Sequence, residues 1–211
     1  PDFPWDTIAA ARATARAHPD GICDLSVGTP VDPVPEAAIR ALSDAAAGWA
    51  GYPTVWGTPA LRQAIREYME RRWSSVPLRD ENVLPVIGTK ELVAHLPLQL
   101  GVGPGDTVVI PTTAYPPYEG GAHSAGAEEK ATAAPHEAAP ARPALIWINS
   151  PANPHGATLD PAQLRRWVDA ARSVGAPLAS DECYGEFGWD AAPVSVLHPD
   201  VCGGTPQGLI A

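Results

Sequence analysis

The sequence predicts an α/β protein built on a mostly parallel sheet, and three observations carry that expectation. Residues 144–187 hold a complete strand–helix–strand unit. From residue 83 onward, short apolar runs alternate with helical patterns. Of the 211 residues, 45% are hydrophobic and 18% charged, the balance of a globular chain with a sizeable core. Strands joined through a helix run parallel, and such sheets are covered by helices on both faces.

Taken in order, residues 4–18 predict a first helix, with Pro4 at its start and His18-Pro19-Asp20-Gly21 at its end. Residues 22–27 read as a short apolar strand and residues 28–33 as a turn-rich loop. Pro35 and Glu36 open a helix that carries Ile39 and Leu42. Residues 48–57 are loop, heavy in aromatics. Thr58 and Pro59 cap the next helix. Its Leu61, Ile65, Tyr68, Met69 and Trp73 form one apolar stripe, expected to be core. Arg62, Arg66, Arg71 and Arg72 are expected on its solvated side.

The style changes after residue 78, and the expected division lies there: a helical part, 1–78, then an α/β part, 79–211. Residues 83–87 read as a strand that turns through Gly88, Thr89 and Lys90 into a helix ending at Leu100. Residues 108–110 are the next strand, followed by a helix and a short strand near 129–132. The Pro/Ala-rich stretch 133–142 is expected to be an exposed loop. Residues 144–148 form a buried strand. Asp160 and Pro161 then supply the N-cap and first turn of a helix, and Gly175 closes it. Leu164, Trp167, Val168 and Ala171 recur on one face of that helix. A last strand runs into Asp181. Residues 208–211 read as the start of a further strand, so the chain is expected to be the first part of a longer protein.

Composition excludes several classes. A net charge of −10 argues against nucleic acid or an anionic membrane as partner. No apolar stretch reaches the roughly 18 residues of a membrane span, and the N-terminus lacks a signal-peptide pattern. Cys23, Cys183 and Cys202 lack metal-ligand spacing and fit reduced thiols. The expectation is a cytoplasmic protein without a metal site.

Ligands of open α/β sheets gather beyond the carboxyl ends of the strands, and four such ends carry chemistry here. Gly88-Thr89-Lys90 sits at a strand-to-helix turn, where backbone N–H groups and the positive dipole end can cradle a phosphate. Tyr115 follows the next strand and can stack on a flat ring. Asn153 can donate to a ring oxygen, and Tyr184 can reach the same oxygen. Asp181 closes a buried strand, so its charge needs a partner, and a pyridinium N–H supplies one. Each signal alone is weak, since Gly-Thr-Lys turns, loop tyrosines and Asn-Pro turns are common. Their conjunction describes a site for a phosphorylated pyridine, pyridoxal phosphate.

The motifs resemble those of the fold-type I pyridoxal-phosphate aminotransferases, class I/II. NSPANPHG resembles the family's N-x-P-x-N-P-T-G, with His155 in place of the usual Thr. SDECY resembles D-E-x-Y, YPTVWGTPALR resembles Y-x-x-x-x-G-x-x-x-L-R, and LSVGTPVDPVP resembles the N-terminal glycine loop. Together with PDFPWDTI, these segments are most similar to the succinyldiaminopimelate transaminase branch. The resemblance implies a three-layer α/β/α fold with a mostly parallel central sheet and the N-terminal helical part of a small domain. It implies pyridoxal 5'-phosphate as cofactor, held by Gly88, Thr89, Lys90, Tyr115, Asn153, Asp181 and Tyr184. It also implies a homodimer in which Tyr52 reaches the neighbouring subunit's phosphate, and places Gly28 beside the substrate carboxylate. Neither lysine of the chain, Lys90 or Lys130, fits the family's Schiff-base lysine, which the resemblance places after the strand that follows Asp181. The chain alone is therefore expected to be inactive. Rival expectations are another class I/II aminotransferase, a carbon–sulfur lyase, or a non-catalytic protein of the same fold.

Overall fold

Helices α1 (Ala9–Arg16) and α2 (Glu36–Ala45) belong to a first compact unit that ends at Tyr52; a second unit runs from Pro53 to Ala211. The computed structural model describes residues 4–28 and 30–211. Pro1, Asp2 and Phe3 of the N-terminal resemblance, and Thr29 of the glycine loop, lie outside the described residues.

In the first unit no described residue is buried. Arg12 donates to Ser26 and pairs with Asp24 at 3.7 Å. The strand expected over 22–27 does not form, and Leu25 is 89% exposed there. A strand is stabilised by its cross-strand partner, and this stretch has none among the described residues.

The second unit opens with α3 (Pro59–Trp73), capped as expected by the Thr58 hydroxyl, which accepts from the Leu61 amide at 3.2 Å. There follow α4 (Thr89–Gln99), β1 (Thr107–Ile110), α5 (Pro117–Ser124), β2 (Glu128–Ala131) and α6 (Pro135–Ala138). The chain continues through β3 (Leu145–Asn149), α7 (Pro161–Val174), β4 (Leu178–Asp181), α8 (Pro199–Cys202) and β5 (Leu209–Ile210). All five strands are parallel, in the order β2-β1-β3-β4-β5. Because α3 belongs to this unit, contacts divide the chain before it, whereas the sequence changes style after it, near residue 78.

Side chains alternate across a strand, and each face of the sheet finds its own helices. Val108, Ile110, Leu145, Trp147 and Ala179 pack with Val93 and Leu96 of α4 and Tyr118 and Ala122 of α5. Val109, Ile146, Ile148 and Leu178 pack with Leu164, Trp167, Val168 and Ala171 of α7. The result is three layers, with both faces of the central strands β1, β3 and β4 covered. Helices α4 and α5 lie so close that a Cβ on Gly121 would come within 3.0 Å of the Val93 and Ala94 carbonyl oxygens. Helix α7 has its expected ends: the Asp160 carboxylate accepts from the Gln163 amide at 2.7 Å, the Gln163 side chain accepts in return at 2.8 Å, and Gly175 turns left-handed at φ 71°.

Further expectations need correction. Residues 83–87 form no strand: Val83 is buried, but Ile87 is 94% exposed, and Pro85 offers no N–H to a ladder. The stretch 133–142 is not a loose loop. It folds into α6 and a 3-10 turn, Ala139–Ala141, and buries Ala138 completely, because Pro135 and Pro140 are well placed in first turns. No residue of α3 is fully buried, so its stripe borders the core rather than filling it. Its Arg62 and Arg66 do not face open solvent but reach Asp80, at 3.9 and 3.1 Å, with side chains 17% and 30% exposed.

Candidate functional site

The chain leaves β1 outward to β2 and then returns to the other side of β1 as β3. That reversal opens a crevice at the carboxyl ends of β1 and β3, where such sheets receive ligands. Tyr115 follows β1, Asn149 ends β3, and the register sets Asn149 directly opposite Asp181 at the end of β4. The Asn149 amide ties the two ends together. It donates to the Asp181 carbonyl at 2.9 Å and to the Pro151 carbonyl at 3.1 Å, while its oxygen accepts from the Asn153 N–H at 2.7 Å. Asn149, expected to begin the loop, is the last residue of β3, and it places the loop that carries Asn153.

Strand alternation puts Asp181 on the same face as Ala179, toward α4 and α5. Tyr118, completely enclosed on that side, donates its hydroxyl to the Asp181 carboxylate at 2.7 Å, and the Cys183 N–H donates to the other oxygen at 3.2 Å. Tyr118 is not among the site residues expected from sequence. The Tyr115 and Tyr118 rings meet edge to face at 6.4 Å, and Trp147 lies 5.2 Å beyond Tyr118. The indole N–H of Trp147 is buried without a partner.

Electrostatics follow from this enclosure. Burial, then the neighbouring Asp181 charge, raise the Tyr118 hydroxyl above the ordinary tyrosine range, so it remains a donor. The same two causes push the Cys183 thiol up to about 12, which keeps it protonated and a poor nucleophile at neutral pH. Burial also raises the Glu182 carboxyl, against the opposing hydrogen bonds from the Val196 N–H at 2.8 Å and the Ser180 hydroxyl at 2.9 Å. Tyr184 is raised as well, by burial first.

Thr89, the first residue of α4, and Asp181 border one cavity of about 390 Å³, together with Trp147 and Ser180. Gly88 sits at the N-cap of α4 in extended backbone, and a Cβ there would meet no protein atom within 4 Å. Lys90 follows as the second helical residue. The Asn153 amide donates to the Tyr184 hydroxyl at 3.4 Å. A second cavity, about 120 Å³ and lined by Thr112, Thr132, His155 and Trp167 among others, includes none of the residues expected from sequence. Gly28 and Tyr52 belong to the first unit, where the Tyr52 side chain is fully exposed. Lys130 stands on β2 at the sheet edge and donates to the Glu137 carbonyl at 2.7 Å.

This three-layer sheet, with Asp181, Asn153 and Tyr184 gathered past its strand ends, defines a pyridoxal-phosphate transferase fold of type I. The pattern of aminotransferases of class I and II matches residues 20–206, and the chain belongs to that family. It is 52% identical over 211 residues to a probable aminotransferase of Mycobacterium tuberculosis, covering 100% of this chain and 50% of that protein. It is 46% identical to the 4-dedimethylamino-4-oxo-anhydrotetracycline transaminase of Streptomyces rimosus, covering 100% of this chain and 58% of that protein. Among solved structures it resembles N-succinyldiaminopimelate aminotransferase from Mycobacterium tuberculosis, with TM-score 0.72 and 28% identity over 81% of this chain and 48% of that one. The chain spans about half the length of the curated relatives it matches. Membership of the family implies pyridoxal 5'-phosphate as cofactor. No helix among the described residues is long and apolar enough to cross a membrane.

Proposed function

We propose that the complete protein transaminates N-succinyl-LL-2,6-diaminopimelate, with 2-oxoglutarate as amino acceptor, as a cytoplasmic homodimer. The observation that supports the reading is one cavity bordered by both Asp181 and Thr89, the first residue of α4, with Asn153 hydrogen-bonded to Tyr184, which follows Asp181 by three residues. The residues fit a phosphorylated ring. Thr89 and the first-turn amides of α4 offer donors to a phosphate, with Lys90 adding charge. Nothing in the chain itself fills the space a Gly88 side chain would enter. The Asp181 carboxylate has two donors in place and lone pairs left for a ring N–H.

Bound pyridoxal phosphate supplies an electron sink for a substrate whose Cα–H bond is breaking. Asp181 holds the proton on the ring nitrogen, and Tyr118 and the Cys183 amide hold Asp181 in place. Tyr115 covers one face of the ring. Asn153 and Tyr184 donate to its phenolic oxygen. Tyr52 reaches the phosphate of the neighbouring subunit, and Gly28 lies beside the substrate carboxylate. Residues 1–78 contribute to the small domain and dimer contacts, and residues 79–211 form the first part of the cofactor domain. Neither Lys90 nor Lys130 serves as the Schiff-base lysine.

Substrate choice has a rival, favoured by the likeness to the Streptomyces rimosus transaminase: another keto or amino compound in the same site. A panel of amino donors with product analysis on the full-length protein separates the two readings. The cofactor reading is tested by titrating full-length protein with pyridoxal phosphate. Wild type should develop the bound cofactor's absorbance, and Asp181→Ala should weaken binding at least tenfold. An unchanged titration for Asp181→Ala overturns the assignment.

A further inference from the structure

The turn that carries Tyr184 has little of its own to hold it. Residues 182–187 lie in neither helix nor strand, and their internal backbone bonds are Gly185 N–H to the Glu182 carbonyl, 2.8 Å, and Phe187 N–H to the Tyr184 carbonyl, 2.9 Å. Glu182, at the start of the turn, is held by the Val196 N–H and the Ser180 hydroxyl, and the far end of the turn is gripped by α3, more than a hundred residues earlier. The Tyr68 hydroxyl donates to Glu186 at 2.8 Å. Arg72 makes a fork on the same carboxylate, with Nε at 3.0 Å and Nη2 at 2.8 Å from Oε2. Its guanidinium carbon lies 4.2 Å from the centre of the Trp73 ring. That ring in turn lies against Gly185, where a Cβ would approach its Cη2 atom to 2.7 Å. Arg72, then Tyr68, hold the Glu186 carboxyl below the ordinary range.

A lone exposed ion pair contributes little. Here a planar fork, a second donor and an aromatic ring close on two consecutive residues, an arrangement that fixes geometry. The residue just before them is Tyr184, whose hydroxyl accepts from Asn153. We propose that Tyr68, Arg72 and Trp73 are positioning residues that set the place of the Tyr184 hydroxyl by gripping Gly185 and Glu186. The inference rests on the reading that the Asp181–Tyr184 site takes pyridoxal phosphate. It adds a control on cofactor chemistry that sits in α3, outside every motif of the site.

The test uses full-length protein loaded with pyridoxal phosphate and follows the bound cofactor's absorption against pH. A hydrogen bond donated to the ring oxygen favours its charged form, so Tyr184→Phe should raise the midpoint, by about one unit. Arg72→Met and Gly185→Ala should raise it in the same direction, by a smaller amount. Glu186→Gln, which keeps the shape of the side chain, serves where those variants fold poorly. The single reversals Arg72→Glu and Glu186→Arg should each raise the midpoint, and the double reversal should bring it back. In a Tyr184→Phe background, Arg72→Met should add nothing. A grip that only stabilises the fold would lower the melting temperature and leave the midpoint unmoved. That result overturns the proposal while Tyr184→Phe still reports on the cofactor. A wild-type protein with no cofactor absorbance overturns the cofactor reading and the proposal together.

Discussion

The two units of the chain are built from similar patterns and end in opposite states. Helix α2 of the first unit is as amphipathic as α7 of the second. Yet α7 buries Leu164, Trp167, Val168 and Ala171 against the sheet, while α2 buries nothing and leaves Leu42 61% exposed. An amphipathic stripe is an offer of burial, and the surface that accepts it decides the outcome. In the second unit that surface is the sheet. In the first, Leu25, Val31 and Tyr52 remain almost wholly exposed, which fits a segment whose apolar surface is covered in an assembly.

The largest test of this contrast compares equal truncations. Leu164→Ala should cost about 2–5 kcal/mol of unfolding free energy, since it opens a cavity under α7. Leu42→Ala should cost under about 0.5 kcal/mol in the monomer. Urea midpoints read both, and a large effect of Leu42→Ala that grows with protein concentration would place Leu42 in a subunit interface. Next in size is Tyr118→Phe, which strips one donor from the enclosed face of Asp181 and should cost about 1–3 kcal/mol by the same measurement.

Dependence on pH should separate two carboxyls, one from each unit, by sign. The Glu182 carboxyl is raised, so its contribution to stability is fully present below the ordinary value of 4.5 and is lost as pH rises through its folded value. Asp24 in the first unit is lowered, chiefly by two hydrogen bonds from Ser26, so its contribution is present above 3.8 and is lost as pH falls through its folded value. Relative to wild type, Glu182→Gln should therefore gain stability with rising pH, and Asp24→Asn should gain it with falling pH. Denaturation midpoints across a pH series check both slopes. The smallest contrast is at helix starts. Asp160→Ala should cost about 1 kcal/mol through its lost cap, whereas Arg40→Ala removes an exposed pair with Glu36 and should cost a few tenths, about 0.3 kcal/mol.

What the sequence disclosed was whatever is settled locally. The ends of α7 were written in Asp160, Pro161 and Gly175, and its buried face in a simple repeat. Asp181, Asn153 and Tyr184 could be nominated because a strand end and a polar loop are visible from a single stretch. Residues 83–87 misled because an apolar run becomes a strand only beside another strand. Arg62 and Arg66 looked solvated because their partner, Asp80, lies outside the helix and outside its period. Tyr118 was underrated because its worth comes from Asp181, which lies 63 positions away. The misses at 83–87, Arg62, Arg66 and Tyr118 each concern a contact whose second member lies outside the stretch itself.

The register of β3 with β4 has one further consequence. Asn149 stands across from Asp181, and Asp181 turns toward Tyr118 only because an odd-or-even count from Leu178 says so. β4 therefore works as a ruler with two settings. Adding or deleting a single residue between Leu178 and Asp181 would swing the acid to the α7 side of the sheet. Loops here can drift in length over evolutionary time, but this short stretch must conserve its parity.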